Sequence, residues 1–352
     1  MKPLRVGIVG VGAIGGHLAG VLLSGQTDVT LCLRHRHVET FQTQGLQVQY
    51  TSQADEVVAQ KFAPTQFHLH TLDSLPDVDL LILTIKTQHW PALLKQWIAA
   101  ATHLPPVILC LQNGVGFHEQ VANDLQLHFP KNLPEVLGGM VPFNVVFEAG
   151  IYRQSSLGPY YFSKNESVQV DRLKQHLKKA KFSFVEQENF LGFQWTKLLL
   201  NLNNSINALS GDSLNDQIAN SNFRRVFAQA MQEGLRVAHK KNIQLEKIQG
   251  LSPQTMLHLL RLPRFLFLPL LKFVFRIEKN SRTSMAQDFL ARRPTEIETL
   301  NGFVVTEGES LQIPTPINRF LVEEVRKVEA AAFSDEVLMS ARQALTQRGS
   351  EL

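Results

Sequence analysis

Leu4-Arg5-Val6-Gly7-Ile8-Val9 runs directly into Gly10-Val11-Gly12-Ala13-Ile14-Gly15, and this stretch decides the fold of the N-terminal half of the chain. Its first six residues are typical of a buried β-strand, residues 17–23 continue as an apolar helix, and residues 28–33 form a second strand. This order is a βαβ unit, whose glycines make the tight turn, admit a pyrophosphate and let the helix pack closely. The helix N-terminus adds partial positive charge. The predicted cofactor contacts are Gly10, Gly12, Ala13, Ile14 and Gly15.

The end of the second strand indicates which dinucleotide is preferred. An NAD site usually has an acid here to accept hydrogen bonds from the ribose 2′-hydroxyl. No acid lies between Asp28 and Glu39, and residues 34–37 read Arg-His-Arg-His instead. A guanidinium at Arg34 suits a 2′-phosphate, because it can form charge-assisted, bidentate contacts. The sequence therefore predicts NADPH, with a solvated basic turn as the alternative interpretation.

Length and composition restrict the class of protein. A chain of 352 residues with a net charge of +4 suits a two-domain soluble protein, and no basic block resembles a nucleic-acid footprint. Cys32 and Cys110 lie in predicted buried strands and have no disulfide or metal-ligand spacing. His68 and His70 alternate on one strand face, but no third metal ligand is evident nearby, so no metal is expected.

One long apolar segment, residues 259–277, could suggest a membrane contact. It contains four basic residues and two prolines, which a spanning helix does not tolerate. We therefore expect no membrane partner and a cytoplasmic location. The exposed-looking Phe and Leu side chains are compatible with a homodimer surface and equally with a buried helix.

Two further strands of the first domain deliver polar side chains to their C-terminal ends. Residues 79–85 lead to Lys86, and residues 106–111 lead to Gln112-Asn113-Gly114. Open α/β sheets bind ligands at this edge, so both Lys86 and Asn113 are candidate site residues, although Asn-Gly is also an ordinary turn pair. The stretches 46–50 and 66–72 are predicted as strands of a half-exposed sheet edge. Residues 143–162 are predicted as a β-meander.

From about Asn189 the periodicity is helical. The predicted fold class is thus α/β, a Rossmann-type doubly wound sheet followed by an all-α C-terminal domain. The expected boundaries are 1–188 for the NADP-binding domain and 189–352 for the helical substrate and catalytic domain.

One helix is predicted over residues 195–207, with Lys197, Asn201 and Asn204 on a single face. An ammonium and two amides on so apolar a helix favour a polar stripe that lines a cleft, with a solvent-facing surface as the alternative. A second helix is predicted over residues 280–290 and a third from Arg292 onward. Pro294 would then lie in the first turn of that third helix, where Glu296 would complement the helix dipole.

The ordered set of motifs resembles the ketopantoate reductase (2-dehydropantoate 2-reductase) family over nearly the whole chain. In the first half the resemblance rests on the glycine motif, Arg34, Lys86 and Gln112-Asn113-Gly114-Val115-Gly116. In the second half it rests on three segments: Trp195-Thr196-Lys197-Leu198 with Asn201, Ser284-Met285-Ala286-Gln287-Asp288, and Thr295-Glu296-Ile297 with Asn301-Gly302. The glycine motif is shared by many families, whereas the ordered set is much more specific.

The resemblance implies NADPH-dependent reduction of the keto group of ketopantoate to pantoate, for pantothenate and coenzyme A synthesis. It implies that Lys197 protonates or stabilises the oxygen that becomes an alkoxide, and that Glu296 holds the substrate hydroxyl and orients the lysine. The remaining matched residues are implied contacts to substrate or cofactor: Asn113, Asn201, Ser205 and Ser284 for the substrate, and Arg34, Lys86 and Asn113 for the cofactor.

There are two departures from the family pattern. Ser205 stands where the family often has a second substrate-binding Asn, and the 259–277 segment is longer and more apolar than in compact members. Both departures bear on the identity of the 2-oxo acid more than on the reaction type. Two alternatives therefore stay open, a reductase of another branched 2-oxo acid and a non-catalytic NADP-binding protein.

Overall fold

The structure is a computed structural model that describes residues 3–100, 103–248, 250–267, 269 and 281–352. The chain divides into two compact units, Met1–Phe190 and Leu191–Leu352. Each unit has its own buried apolar core.

The first unit alternates strands and helices. Its strands are β1 (Arg5–Val9), β2 (Asp28–Leu33), β3 (Leu46–Thr51), β4 (Val57–Phe62), β5 (His68–Thr71), β6 (Leu80–Leu83), β7 (Val107–Cys110), β8 (Glu135–Met140), β9 (Val145–Glu148), β10 (Ile151–Gln154), β11 (Tyr160–Ser163) and β12 (Phe184–Gln187). Its helices are α1 (Ala13–Ser24), α2 (His35–Gln44), α3 (Trp90–Ala100), α4 (Phe117–His128) and α5 (Val168–Lys179).

Eight of the strands form one sheet in the order β12-β11-β8-β7-β6-β1-β2-β5. The six strands from β8 to β5 are parallel, and β11 is antiparallel to β8. Residues of β6 alternate between the two sides: Leu80 and Ile82 join the core formed with α1 and α5, whereas Leu81 and Leu83 join the core formed with α3 and α4. Helices therefore cover both faces, and the prediction of a Rossmann-type doubly wound sheet is confirmed. Cys32 and Cys110 lie buried in β2 and β7 with free thiols, also as predicted.

A second sheet, in the order β4-β3-β10-β9, packs on α1 and was not predicted. A Cβ added at Gly20 would overlap Val48 of β3, and one added at Gly16 would overlap the Tyr152 ring of β10, so the glycines of α1 allow this close packing. The predicted single meander over residues 143–162 is wrong. Strands β9 and β10 form a hairpin in the small sheet, whereas β11 returns to the large sheet. Alternation of apolar residues specifies a strand face but not a partner strand, which is why the prediction failed.

The predicted edge over residues 46–50 and 66–72 is likewise half wrong. Strand β5 is an edge of the large sheet, but β3 lies inside the small sheet between β4 and β10. Most residues of β4 are exposed, and its burial pattern has no two-residue period. The sequence therefore gave no indication that β4 is a strand that pairs with β3.

The second unit is helical, which confirms the predicted C-terminal domain class. Its helices are α6 (Phe190–Asn201), α7 (Asn203–Ser210), α8 (Leu214–Ala219), α9 (Ser221–Lys240), α10 (Pro253–Leu260), α11 (Ser284–Leu290), α12 (Asn301–Ser310), α13 (Pro316–Ala330) and α14 (Asp335–Glu351). Helix α9 packs against α6 at Gly234, where an added Cβ would lie 2.5 Å from the Leu199 side chain. Nine residues of the 259–277 segment, 268 and 270–277, fall outside the described residues. None of the helices within the described ranges has the length and apolarity needed to cross a bilayer.

The single helix predicted over residues 195–207 is in fact two helices, α6 and α7, that meet at Leu202. The Leu202 carbonyl accepts a hydrogen bond from Ser205 Oγ at 3.1 Å and one from Asn301 Nδ2 at 3.5 Å. Side-chain donors thus use a carbonyl at the point where the helix is interrupted. A pattern read on residues 195–207 alone does not contain Asn301.

Two other helix starts differ from prediction. Helix α11 begins at Ser284, because Thr283 caps it by accepting a hydrogen bond from the Ala286 amide. Pro294 lies outside any helix, and Glu296 precedes a short 3-10 turn, Ile297–Thr299, so it does not lie in the first turn of an α-helix. The Thr295 amide donates to Glu329 of α13 at 2.8 Å, which holds this segment in a turn.

Candidate active site

The glycine loop joins β1 to α1, and three of its glycines are there for three different physical reasons. Gly10 has φ +94°, and a Cβ there would lie 2.7 Å from the Ile85 side chain. A Cβ at Gly15 would overlap the Gly10 carbonyl oxygen, so this glycine permits the helix to approach the loop. A Cβ at Gly12 would meet nothing within 4 Å. The space next to Gly12 is therefore open for a ligand group.

The N-terminus of α1 can hold an anion. Gly12 is its N-cap residue and supplies no side chain, so no side-chain oxygen of the cap uses the first amides of the helix. Ala13 and Ile14 follow as the first two helical residues and are half-buried. Uncapped N–H groups, the helix dipole and the open space at Gly12 together fit the pyrophosphate of a dinucleotide.

Two hydroxyl groups brace the carbonyls of this loop, and sequence analysis did not single out either. Thr84, directly after β6, donates to the Gly10 carbonyl at 2.5 Å, and Tyr152 of the small sheet donates to the Val11 carbonyl at 3.4 Å. Burial raises the pKa of Tyr152 to about 12, so it stays protonated as a donor. Because these hydroxyl groups bind the loop carbonyls, the backbone amides of the loop are available to a ligand. The sequence could have indicated Thr84, because it directly follows a buried parallel strand. It contains no feature that indicates a role for Tyr152.

Five side chains form a basic cluster at the ends of β2 and β6, which are the two strands that flank β1. We define the basic cluster as Arg34, Arg36, His37, Lys86 and His89. Arg34 is exposed and is the N-cap residue of α2, and Lys86 is the N-cap residue of the 3-10 turn Thr87–His89. Desolvation, together with the charges of Arg34 and Lys86, lowers the pKa of His89. The cluster is therefore a region of positive potential beside the glycine loop.

Asn113 is positioned by the strand next to β6. Its neighbour Gln112 donates to the Leu83 carbonyl at 2.8 Å, which ties the end of β7 to the end of β6. Gly114 follows with φ +98° and makes the turn, leaving Asn113 half-buried. The structure thus places Asn113 and Lys86 at the same edge of the sheet as the glycine loop, which is the edge where ligands bind in open α/β sheets.

In the second unit, Lys197 lies on α6 and is half-buried. Desolvation lowers the pKa of its ammonium group to about 8, against an ordinary value of 10.5. Asn201 is one turn further along the same helix and is buried. An amine that titrates near neutral pH can donate a proton far more readily than a surface lysine.

Three other polar side chains of α7, outside the predicted stripe, make hydrogen bonds within the protein. Asn203 exchanges two hydrogen bonds of 3.1 Å with Gln217, and Asn207 accepts from the Thr283 amide at 3.0 Å. Ser205 is fully buried, and its hydroxyl donates to the Leu202 carbonyl. The suggestion that Ser205 contacts substrate remains a prediction, and this geometry argues against it. Sequence periodicity could not distinguish these structural amides from ligand-facing ones.

Ser284 is exposed at the first position of α11, and the cap residue before it is held by α7. Thr283 contributes its amide to Asn207 and its hydroxyl, at 3.4 Å, to the Asn204 carbonyl. Ser284 is therefore presented to solvent from a fixed helix end beside α7.

Glu296 sits on a turn that α13 holds in place. Thr299 donates to the Glu296 carbonyl at 3.1 Å, and Glu298 forms a bidentate pair with Arg326 at 2.6 and 2.8 Å. These contacts fix the backbone of the turn and leave Glu296 half-buried.

A buried polar network links this turn to the α6–α7 junction. Asn301, just after the turn, donates to the Leu202 carbonyl and, at 3.0 Å, to Asn318. Glu233 of α9 in turn accepts hydrogen bonds from the Ile317 and Asn318 amides, both at 2.9 Å. The network therefore ties the element that carries Glu296 to the helix that carries Lys197. Glu233 is fully buried and was missed by sequence analysis, because its partners are some 85 residues away.

The two histidines of β5 lie beside other polar side chains in the described part of the chain. No group of three or more His, Cys, Asp or Glu side chains is placed there to hold a metal ion. His68 instead lies 3.3 Å from Asp28, and His70 lies 3.0 Å from Ser74.

A glycine loop at the centre of a doubly wound sheet, followed by a helical unit, is the arrangement of a Rossmann-type dinucleotide-binding protein. The sequence profile of "Ketopantoate reductase PanE/ApbA" matches residues 6–167, and that of "Ketopantoate reductase PanE/ApbA C terminal" matches residues 189–329. The chain belongs to the ketopantoate reductase family and is an oxidoreductase.

Individual relatives agree with this assignment. The 2-dehydropantoate 2-reductase of Pyrococcus horikoshii is 24% identical over 338 residues, which cover 93% of this chain and 98% of the relative. A PanE/ApbA family ketopantoate reductase from Ralstonia eutropha JMP134 superposes with a TM-score of 0.75 at 22% identity, over 94% of this chain and all of that one. D-Mandelate dehydrogenase, in a ternary structure with NADH and anilino(oxo)acetate, superposes with a TM-score of 0.70 at 19% identity, over 97% of this chain and 99% of that one. The family is thus one that binds a nicotinamide cofactor and acts on a small molecule.

Proposed function

We propose that this protein reduces 2-dehydropantoate (ketopantoate) to pantoate with NADPH, in the biosynthesis of pantothenate and coenzyme A. Lys197 carries the proposal. In a chain that matches the family along both units, it is a half-buried lysine whose pKa is lowered to about 8, which suits a proton donor at neutral pH.

The first unit is assigned the cofactor. Gly10, Gly12 and Gly15 with the first turn of α1 would receive the pyrophosphate, and Arg34 would pair with the 2′-phosphate. Lys86 and Asn113, at the same sheet edge, would approach the nicotinamide end. NADPH, when bound, supplies a hydride.

The second unit is assigned the substrate and the proton. As the keto carbon gains the hydride, its oxygen takes a proton from the Lys197 ammonium, which becomes a neutral amine. Glu296 accepts a hydrogen bond from the substrate hydroxyl and orients Lys197. Asn201 and Ser284 hold the polar groups of the 2-oxo acid, with Ser284 at the carboxylate. Asn113 of the first unit is assigned a further substrate contact.

A second candidate is the reduction of a different branched 2-oxo acid. It is supported by Ser205, which stands where the family often has a substrate-binding Asn and whose hydroxyl donates to the Leu202 carbonyl. A substrate that lacks the group bound by that Asn would bind equally well when Ser replaces it.

A panel of 2-oxo acids, assayed with NADPH and NADH side by side, tests both candidates. Ketopantoate should show the highest kcat/KM, and NADPH should be preferred. Lys197→Ala should abolish turnover and leave NADPH affinity within about twofold, because the lysine acts on the substrate oxygen. Lys327→Ala is the matched control, since this lysine of the same unit pairs with Glu324 at 2.6 Å on α13.

Three outcomes would contradict the proposal in different ways. A higher kcat/KM for another 2-oxo acid would favour the second candidate. Unchanged turnover in Lys197→Ala would refute the role of the lysine. Tight NADPH binding without turnover of any 2-oxo acid would indicate a non-catalytic NADP-binding protein.

A further inference from the structure

The basic cluster contains two histidines that the proposed chemistry does not use. His89 ends the 3-10 turn that begins after Lys86, and its amide donates to the Lys86 carbonyl at 2.9 Å, which fixes the backbone of this turn just after β6. His37 lies in the first turn of α2 and accepts a hydrogen bond of 3.1 Å from Arg36 Nε. Both imidazoles are exposed, so a ligand can reach them.

The charges that act on these histidines are positive. Desolvation followed by Arg34 and Lys86 lowers the pKa of His89, and desolvation followed by Arg36 and Arg34 lowers the pKa of His37. The acid on the neighbouring strand end, Asp73 after β5, is already paired with His35 at 2.5 Å. Arg34, which lies directly after β2, thus influences both histidines.

We infer that His89, assisted by His37, recognises the 2′-phosphate of NADPH together with Arg34 and takes up a proton when that dianion binds. The inference rests on the proposed NADPH preference and deepens it, since it names a specificity residue and a proton linked to binding. A phosphate monoester is close to a dianion at neutral pH, whereas the ribose of NADH presents only a neutral hydroxyl.

The sign of the effect follows from electrostatics. In the absence of a ligand, desolvation and the surrounding cations disfavour a protonated imidazole, so each histidine is mostly neutral at pH 7. A dianion beside it reverses the local potential and favours the protonated form. NADPH, but not NADH, therefore binds with uptake of a proton, and the contribution of His89 to NADPH affinity grows as the pH falls.

The phosphate itself titrates with a pKa of about 6, which weakens NADPH binding at low pH and works against the histidine. This effect is the same for any variant of the protein, so a comparison of variants removes it. An increase of one unit in the histidine pKa on binding corresponds to a factor of about ten in affinity once the pH is below both values.

The experiment measures the Kd values of NADPH and NADH between pH 5.5 and 8, from the fluorescence of the reduced nicotinamide, for the full-length chain and for His89→Gln. The quantity compared is the ratio of the NADH to the NADPH Kd. This ratio for wild type, divided by the same ratio for His89→Gln, should be near one at pH 8 and should rise to about three or more at pH 5.5. His128→Gln, at the exposed C-terminal end of α4, is the control and should behave as wild type.

The outcomes separate this inference from the proposed function. A pH-independent quotient of wild type and His89→Gln overturns the inference, as does an equal loss of pH dependence in His128→Gln. If wild type binds NADPH no more tightly than NADH at any pH, the proposed cofactor preference itself fails. Thermal unfolding of His89→Gln is expected to match wild type, because the imidazole is exposed and outside the core.

Discussion

The pH dependence of the reduction is the sharpest test of the assignment of Lys197. Its ammonium is desolvated on α6, which lowers its pKa from the ordinary 10.5 to about 8. If the protonated form is the proton donor, the rate follows its fraction, which is about 90% at pH 7 and about 9% at pH 9. The maximal rate should therefore fall about tenfold between these two values and continue to fall with a slope of one.

The assay is the initial rate of NADPH oxidation at saturating 2-oxo acid, which reports the titration of the bound complex. Lys197→Arg keeps a positive charge that cannot be lost in this range, so its residual rate should be low and independent of pH. Lys327→Met, which removes a lysine whose pKa is raised by Glu324, should leave the profile unchanged. A wild-type rate that stays flat to pH 10 would refute the reasoning.

An independent measurement is the stability of the protein against pH. The folded chain releases the Lys197 proton near pH 8, whereas the unfolded chain holds it until about pH 10.4, so between these values the unfolded state binds more protons. The free energy of unfolding of wild type should accordingly rise relative to Lys197→Met from pH 8 to pH 10. At pH 7 the methionine variant should be at least as stable as wild type, because it no longer buries an ammonium. A lower melting temperature for the variant at pH 7 would show that the lysine is mainly structural.

Four further substitutions have distinct expected outcomes. Gly12→Ala should fold normally, since its Cβ would meet no atom within 4 Å, yet it should bind NADPH at least about tenfold more weakly. Gly15→Ala should lose about 1–3 kcal/mol of stability, because its Cβ overlaps the Gly10 carbonyl. Equal melting temperatures for these two variants would contradict this reasoning. Glu233→Ala should lose about 3 kcal/mol in urea unfolding, since the amides at the start of α13 lose their buried acceptor, and an unchanged midpoint would refute that role. Glu296→Gln should lower kcat/KM for ketopantoate about 100-fold with NADPH affinity intact, and a loss of NADPH affinity instead would place Glu296 elsewhere in the mechanism.

Local sequence patterns were sufficient to predict the features that depend on residues close together in the chain. The βαβ unit, its glycines and the helical class of the second unit follow from strand and helix periodicity together with turn chemistry. Predictions failed where a partner strand or a cap comes from a distant segment. The small sheet is an example, because β3 pairs with β10 roughly a hundred residues later.

For the candidate site, the sequence by itself determined which residue types are available: the glycine loop, the basic end of β2, Lys197 and Glu296. Tertiary structure decided what state they are in. Burial of α6 lowers the pKa of Lys197, and Asn301 ties the Glu296 turn to the Leu202 junction. Desolvation and long-range hydrogen bonds arise only when distant segments pack together, so no window of the sequence contains them.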